Sequence, residues 1–160
     1  MPAERNERSD GQHEPRLPVA LAPVTPDNWQ AVIALRLEAA QAANLASNLY
    51  SLAEAYVVPA CRPMAIVAGR TVVGFVMYEY LPEQRICSIP RFMIDHAWQG
   101  RGYGRAGLAA TLVHIRQAYP QAAIVISLLP GNDAARQLYA ALGFIDTGEY
   151  RYGELIMRYD

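Results

Sequence analysis

Residues 96–107, HAWQGRGYGRAG, contain the strongest local pattern in the chain. It follows a predicted strand and opens a predicted helix, a place where unpaired backbone N–H groups and the helix dipole attract phosphate groups. Its glycines Gly102, Gly104 and Gly107 fit the pattern G-x-G-x-x-G, and the same run also fits Gln99-x-x-Gly102-x-Gly104. The stretch therefore predicts a turn that binds a phosphate-bearing cofactor, and its context must decide which cofactor.

The residues that follow disfavour a dinucleotide. Dinucleotide sites carry an Asp or Glu about 20 residues after the glycines, but this chain has no acidic residue between Asp95 and Asp133. The turn does contain Arg101 and Arg105, which suit a pyrophosphate with a further phosphate nearby, as in coenzyme A. The alternative is a glycine-rich turn that only allows close packing, but four glycines among eight residues with two arginines exceed what packing needs.

The composition fits one globular domain. The chain has 160 residues, of which 52% are hydrophobic, and a formal net charge of −1 without a basic run, which disfavours binding to nucleic acid. Residues 1–16 are charged and lack an apolar run, so they predict a flexible tail before a single domain of residues 17–160. Scattered Cys and His residues predict neither a metal site nor a disulfide. The apolar runs are too short for a membrane helix and the N-terminus is not signal-like, so the cytoplasm is the expected location.

Hydrophobic patterns on both sides of the glycine turn predict an α/β chain whose first half is antiparallel. Gly69-Arg70 predicts the turn of a hairpin. Pro90 predicts a bulge or an unpaired edge position in the strand of residues 86–95, and therefore a central break in that strand. The predicted strands cover residues 17–24, 64–68, 71–80, 86–95, 122–129, 144–148 and 154–159, and the predicted helices begin near residues 26, 44, 103 and 133.

The predicted helix of residues 44–57 has a mixed pattern. Its apolar residues recur at helical spacing and predict one face, with polar residues near the other. The apolar set is Leu45, Leu49, Leu52 and Tyr56, and the polar set is Asn44, Asn48, Ser51 and Glu54.

With these elements in place, two motifs carry a resemblance. Residues 99–104, QGRGYG, resemble the pyrophosphate loop Q/R-x-x-G-x-G/A of the GNAT superfamily of N-acetyltransferases. Residues 132–139, NDAARQLY, resemble its second cofactor motif, an Asn followed seven residues later by a Tyr. SNLYSLAEA, PRFMID and GELIMRY look more narrowly like bacterial spermine/spermidine acetyltransferases. The resemblance runs from Leu17 to the C-terminus and implies a mixed, mostly antiparallel sheet of about seven strands, about four flanking helices and a splayed parallel strand pair that holds the cofactor.

The resemblance also implies a set of residues that bind acetyl-CoA. Phe92 and Ile94 would offer backbone groups to the pantetheine arm, and Asn132 would hydrogen-bond its amide. Amides of the glycine turn would surround the pyrophosphate, since glycine lets phosphate approach the backbone closely. The turn residues are Gln99, Gly100, Arg101, Gly102, Tyr103, Gly104 and Arg105.

Tyr139 is the expected general acid, because an O–H donor near the sulfur helps a thiolate to leave; the alternative is a core aromatic residue. The expected reaction is acetyl transfer from acetyl-CoA to a primary amine of a small polyamine, by direct attack through a tetrahedral intermediate. The carboxylates that would hold the amine are Glu54, beside Tyr50 on the same helix, and then Glu149 and Glu154; a solvated surface position is the alternative for each.

Other functions stay open at this point. The acceptor could instead be a peptide N-terminus or an aminoglycoside, which would change the acidic pocket and keep the cofactor residues. A non-enzymatic acetyl-CoA sensor is disfavoured by the presence of Tyr139. The expected partner is a small-molecule amine, and no metal is expected. The resemblance is also compatible with a homodimer.

Overall fold

A computed structural model describes residues 17–43 and 45–160. The predicted tail of residues 1–16 and the predicted helix start at Asn44 lie outside these residues. The described chain forms a seven-stranded mixed sheet. The strands are β1 (Val19–Pro23), β2 (Cys61–Ala68), β3 (Thr71–Leu81), β4 (Ile86–Ile94), β5 (Ala123–Leu128), β6 (Ile145–Arg151) and β7 (Glu154–Tyr159), and the helices are α1 (Trp29–Ala34), α2 (Ala39–Ala42), α3 (Asn48–Val57), α4 (Tyr103–Ala118) and α5 (Asp133–Ala141).

The sheet confirms the predicted class. Its strand order is β1-β2-β3-β4-β5-β7-β6, and every neighbouring pair is antiparallel except β4 and β5. Parallel neighbours need a long crossover connection, and here that crossover contains the glycine turn and α4. One helix was not predicted, the single turn α2. No helix in the described ranges has the length and apolarity that a bilayer crossing requires.

Pro90 produces the predicted irregularity in β4. Met77 of β3 pairs with Arg91, whereas Glu79 pairs with Ser88, so one residue of β3 lies opposite two residues of β4. Proline has no N–H to donate to the ladder, and bulges are where sheets tolerate it. The prediction of a bulge at this position is therefore confirmed.

Two groups of buried side chains mark the two faces of the sheet. On the first face, which we call the α4 face, Leu108 of α4 and Tyr139 of α5 pack against Ile126 and other strand residues. On the second, the α3 face, Val32 of α1 and the partly buried Leu52 of α3 pack against residues of β2, β3 and β4. Because side chains alternate along a strand, each strand residue can be assigned to one face.

The predicted apolar face of α3 is wrong in part, because Leu45 and Leu52 pack against the core on the α3 face but Leu49 and Tyr56 do not. Asn48 and Ser51 are buried, whereas Leu49 is 60% exposed and Tyr56 is 89% exposed. The buried polar groups are satisfied, since Asn48 Nδ2 donates to the carbonyl of Val32 at 2.9 Å and the Ser51 hydroxyl donates to the backbone at 3.0 Å. The helix starts at Asn48, where the Ser47 side chain caps it, so residues 45–47 of the predicted helix lie before it.

Candidate active site

A gap in the sheet between β4 and β5 is the centre of the site. The two strands pair only from Ile86 with Ala123 to Ile89 with Ile126. Beyond the Pro90 bulge they separate, and a cavity of about 790 Å³ opens there. The cavity is lined by both strands, the loop around α2, the glycine turn, α5 and the start of β7. The resemblance implied a splayed parallel pair of this kind, and residues from both faces of the sheet line the opening between the strands.

The glycine turn has the backbone conformation that its glycines allow. Gly100 has φ 70° and Gly102 has φ 82°, both in the left-handed region that other residues rarely adopt. Gly102 is the N-cap of α4, so the first N–H groups of the helix follow directly. A Cβ added at Gly100 would meet no atom within 4 Å, so the turn leaves space for a ligand at this position. This geometry fits a pyrophosphate.

The other residues of the turn divide into surface and packing positions. Arg101 and Arg105 are exposed, and the Arg101 guanidinium lies 5.7 Å from the centre of the Trp98 ring. Tyr103 is buried and packs edge-on against Trp98 at 5.5 Å. Both arginines can therefore reach an anionic ligand, whereas the Tyr103 side chain packs inside the protein beside Trp98.

Gln99 makes a contact that its motif does not indicate. Its side-chain amide exchanges hydrogen bonds with Gln41 of α2, at 2.9 and 3.2 Å, and also donates to the Ile94 carbonyl at 2.9 Å. The side chain of Gln99 thus joins the turn to α2, and the Ile94 carbonyl already has a donor. Phe92 and Ile94 both line the cavity.

Asn132 and Tyr139 lie on α5, at the other wall of the cavity. Asn132 Oδ1 accepts from the backbone of Ala135 at 3.3 Å, so this side chain also caps the helix. Tyr139 is 7% exposed and lines the cavity. Burial, and then the negative charge of Glu154, raise the pKa of the Tyr139 hydroxyl to about 12. The hydroxyl therefore stays protonated at neutral pH and is able to donate.

Three of the four predicted acceptor residues do not line the cavity. Tyr50 is 60% exposed and Glu149 is exposed on β6. Glu54 forms an ion pair with Arg91 at 3.2 Å, and it is Arg91 that lines the cavity. Glu154 is the predicted carboxylate that does line it, and its side chain accepts a hydrogen bond from Ser127.

Sequence reasoning did not identify Gln41, Arg91 or Ser127. Arg91 and Ser127 lie in strands, where the faces that they occupy follow from the register and not from any motif. Gln41 belongs to the unpredicted α2. The described residues include no group of three or more His, Cys, Asp and Glu side chains that could hold a metal ion.

Comparison with known proteins places this geometry in a family. The model of the acetyltransferase (GNAT) family matches residues 29–144. A spermine/spermidine N(1)-acetyltransferase of Bacillus subtilis is 31% identical over 142 residues, covering 84% of this chain and 93% of the relative.

Solved structures agree on the fold. The spermidine N-acetyltransferase of Vibrio cholerae, solved with CoA and spermine, has a TM-score of 0.70 at 17% identity and covers 88% of this chain and 93% of that one. A ribosomal-protein-serine acetyltransferase assigned in the same organism has a TM-score of 0.68 at 16% identity, covering 94% and 97%. The chain belongs to the acetyltransferase (GNAT) family, and it is an acetyl-CoA-dependent N-acetyltransferase.

Proposed function

We propose that the protein transfers the acetyl group of acetyl-CoA to a primary amine of a small polyamine such as spermidine. The observation that carries the proposal is the cavity at the β4–β5 gap, which reaches Tyr139 on the α4 face and Glu154 on the α3 face. A proton donor and a carboxylate on opposite sides of one opening suit a thioester that enters from one face and an ammonium that enters from the other. The similarity to the Bacillus subtilis spermine/spermidine acetyltransferase supports the acceptor class.

The cofactor residues have these proposed roles. The amides of residues 100–105 and the two arginines of the turn hold the pyrophosphate and a further phosphate. Phe92, Ile94 and Asn132 border the path of the pantetheine arm, with Asn132 offering its side-chain amide. When bound, acetyl-CoA supplies an activated acyl carbon and a thiolate leaving group.

Tyr139 then acts as the general acid. The amine attacks the thioester carbonyl, and the tetrahedral species that forms collapses when the C–S bond breaks. The sulfur takes the proton of the Tyr139 hydroxyl as it leaves, which avoids release of a free thiolate into a partly apolar cavity. The buried hydroxyl retains its proton at neutral pH and is therefore available as a donor.

A competition experiment tests the acceptor class. Spermidine, a peptide with a free N-terminus and an aminoglycoside are mixed at equal concentration with limiting acetyl-CoA, and the acetylated products are quantified by mass spectrometry. We expect acetylspermidine to dominate. Preferential acetylation of the peptide or the aminoglycoside would replace the polyamine proposal and leave the cofactor residues unaffected. A homodimer stays a prediction, which light scattering of the purified protein tests.

The Glu54–Arg91 pair gives a prediction about acceptor charge. Glu54→Gln leaves the Arg91 guanidinium uncompensated beside the cavity, so we expect the KM for spermidine to rise about fivefold. The KM for a monoamine should rise less. Arg91→Gln should have the opposite effect, because it removes a positive charge from the lining of the cavity. Steady-state kinetics at low and high salt measure both changes, and salt should reduce them. Equal changes for spermidine and the monoamine would show that the pair does not select for charge.

A further inference from the structure

We infer that Glu154 accepts the proton of the acceptor ammonium and that Ser127 positions the Glu154 carboxylate for this transfer. The inference rests on the proposed amine acetylation and assigns the base that the reaction requires. An amine attacks only as the free base, whereas an alkyl ammonium with a pKa like that of lysine, about 10.4, is almost fully protonated at pH 7. A proton acceptor on the side from which the amine approaches is therefore needed.

The strand register places Glu154 on the α3 face. Ile126 and Leu128 of β5, and Leu155 and Met157 of β7, belong to the core on the α4 face. Glu154 and Ser127 alternate with these residues, so their side chains point to the opposite face. Ser127 pairs with Ile156, two residues beyond Glu154, which makes Ser127 and Glu154 diagonal neighbours across the two strands.

Ser127 fixes the direction of the Glu154 side chain. The Ser127 hydroxyl donates to Glu154 Oε2, which leaves Oε1 for another partner. Both residues are half-buried and both line the cavity at the β4–β5 gap. A carboxylate at a strand end is flexible in the absence of such a contact, and a hydroxyl on the neighbouring strand holds it toward the opening.

The other charges around the cavity leave Glu154 as the available base. Among the described residues that line the cavity, Arg91 and Glu154 are the charged ones. Arg91 is already paired with Glu54. Tyr139 belongs to the core on the α4 face and also lines the cavity, and the negative charge of Glu154 contributes to the raised pKa of its hydroxyl. Base and acid are thus on opposite faces of the same opening.

The proton balance of the reaction is complete with these two residues. The ammonium gives one proton to the Glu154 carboxylate, and the nitrogen lone pair forms the C–N bond. The C–S bond breaks, and the sulfur takes the Tyr139 proton to give the thiol. The nitrogen, which still carries one proton too many for an amide, returns that proton to Tyr139, and Glu154 releases its proton to solvent. One proton is released for each acetyl group transferred.

Glu154→Gln tests the assignment. It keeps the shape of the side chain and removes its basicity, so we expect kcat/KM to fall at least about 10²-fold at pH 7. The deficit should shrink as the pH rises to 9.5, because the neutral fraction of the amine increases by more than about 10²-fold over that range. Tyr139 stays protonated throughout, since its pKa is about 12. Calorimetric titration without acetyl-CoA should also show weaker spermidine binding.

Ser127→Ala tests the positioning role. We expect a roughly tenfold fall in kcat/KM, the size of one hydrogen bond to a charged group, and recovery in Ser127→Thr, which keeps the hydroxyl. Glu83→Gln is the matched control for Glu154→Gln. Glu83 is an exposed carboxylate in the turn before β4, at the end of that strand opposite to the gap. The control variant should leave kinetics and binding unchanged.

Different results would contradict the assignment of Glu154 as the proton acceptor and the proposed function. If the wild type acetylates an amine but Glu154→Gln has the same kcat/KM at pH 7, the base is another group or water. If Glu154→Gln changes KM alone, with kcat unaffected at every pH, Glu154 only binds the amine and the proton-acceptor role is overturned. If the wild type prefers an acceptor of another class, the polyamine proposal fails, and the same variants test Glu154 with that acceptor.

Discussion

Replacement of Tyr139 with phenylalanine is expected to lower kcat by roughly 10²- to 10⁴-fold, the usual contribution of a positioned general acid. The substitution removes one oxygen and keeps the ring, which packs beside Phe144 at 6.0 Å. Acetyl-CoA affinity and the thermal stability at neutral pH should therefore change little. Steady-state kinetics, calorimetry and a thermal melt measure the three quantities on the same sample, and a loss confined to the chemical step is the expected pattern.

The raised pKa of Tyr139 adds a pH signature. The native protein holds this proton more tightly than the unfolded chain does, with a pKa of about 12 against 10.0 for an unperturbed tyrosine. Its contribution to the free energy of unfolding is complete below pH 10 and is lost as the pH rises from 10 toward 12. Tyr139→Phe should remove this part of the alkaline destabilisation, which denaturant titrations at pH 9 and pH 11 measure.

A change of leaving group distinguishes acid catalysis from packing. The deficit of Tyr139→Phe should shrink with a thioester whose thiol is more acidic, because that thiolate leaves with less help. A packing role would give the same deficit with both thioesters. Turnover of Tyr139→Phe at the wild-type rate, with saturating substrates and rate-limiting chemistry, would make Tyr139 a core aromatic residue.

Valine at Gly104 should lower acetyl-CoA affinity on the order of 10²-fold, as expected if one or two hydrogen bonds to a charged group are lost. A Cβ added at Gly104 would lie 3.6 Å from Leu138 Cδ2 and 3.9 Å from Ile94 Cγ1, which are ordinary contacts. The remaining methyl groups would occupy the cavity that these residues line. Gly104 is a better site for this test than Gly102, whose φ of 82° strains any side chain.

Ala118→Val is the matched control for Gly104→Val. Ala118 is exposed at the last residue of α4, so it places a β-branched residue in the same helix away from the cavity. Calorimetric titration with acetyl-CoA should show full affinity for this variant and weak binding for Gly104→Val, with both proteins folded by circular dichroism. Normal affinity in folded Gly104→Val would remove the glycine turn from the cofactor site.

The sequence was sufficient to predict the framework of the site, because that framework depends on local chemistry. Pro90 cannot donate to the ladder, so a break in β4 was predictable, and the glycines of residues 100–104 indicated a turn before a helix. The structure has both features. The splayed parallel pair beside the turn was implied by the resemblance to the GNAT superfamily and not by these two features.

The acceptor side was not predictable to the same extent, because it depends on contacts between distant strands. Glu54 has the spacing of a pocket residue, but its carboxylate is paired with Arg91, 37 positions away. Glu154 differs from Glu149 by lying on the face and at the strand end where the gap opens, and only the register shows this. In α3, hydrophobic periodicity misplaced part of the buried face because Asn48 and Ser51 satisfy their polar groups internally.

The most direct test of the proposed acetyl transfer is the product balance of the wild-type enzyme with spermidine and isotopically labelled acetyl-CoA. Released thiol is measured with a chromogenic disulfide, and acetylated spermidine is measured by mass spectrometry in the same reaction. We predict one molecule of labelled N-acetylspermidine for each thiol released. In Tyr139→Phe, the rates of thiol release and of N-acetylspermidine formation should fall by the same factor. Binding of acetyl-CoA without release of thiol above the blank, with spermidine or any other amine tested, would contradict the proposed acetyl transfer.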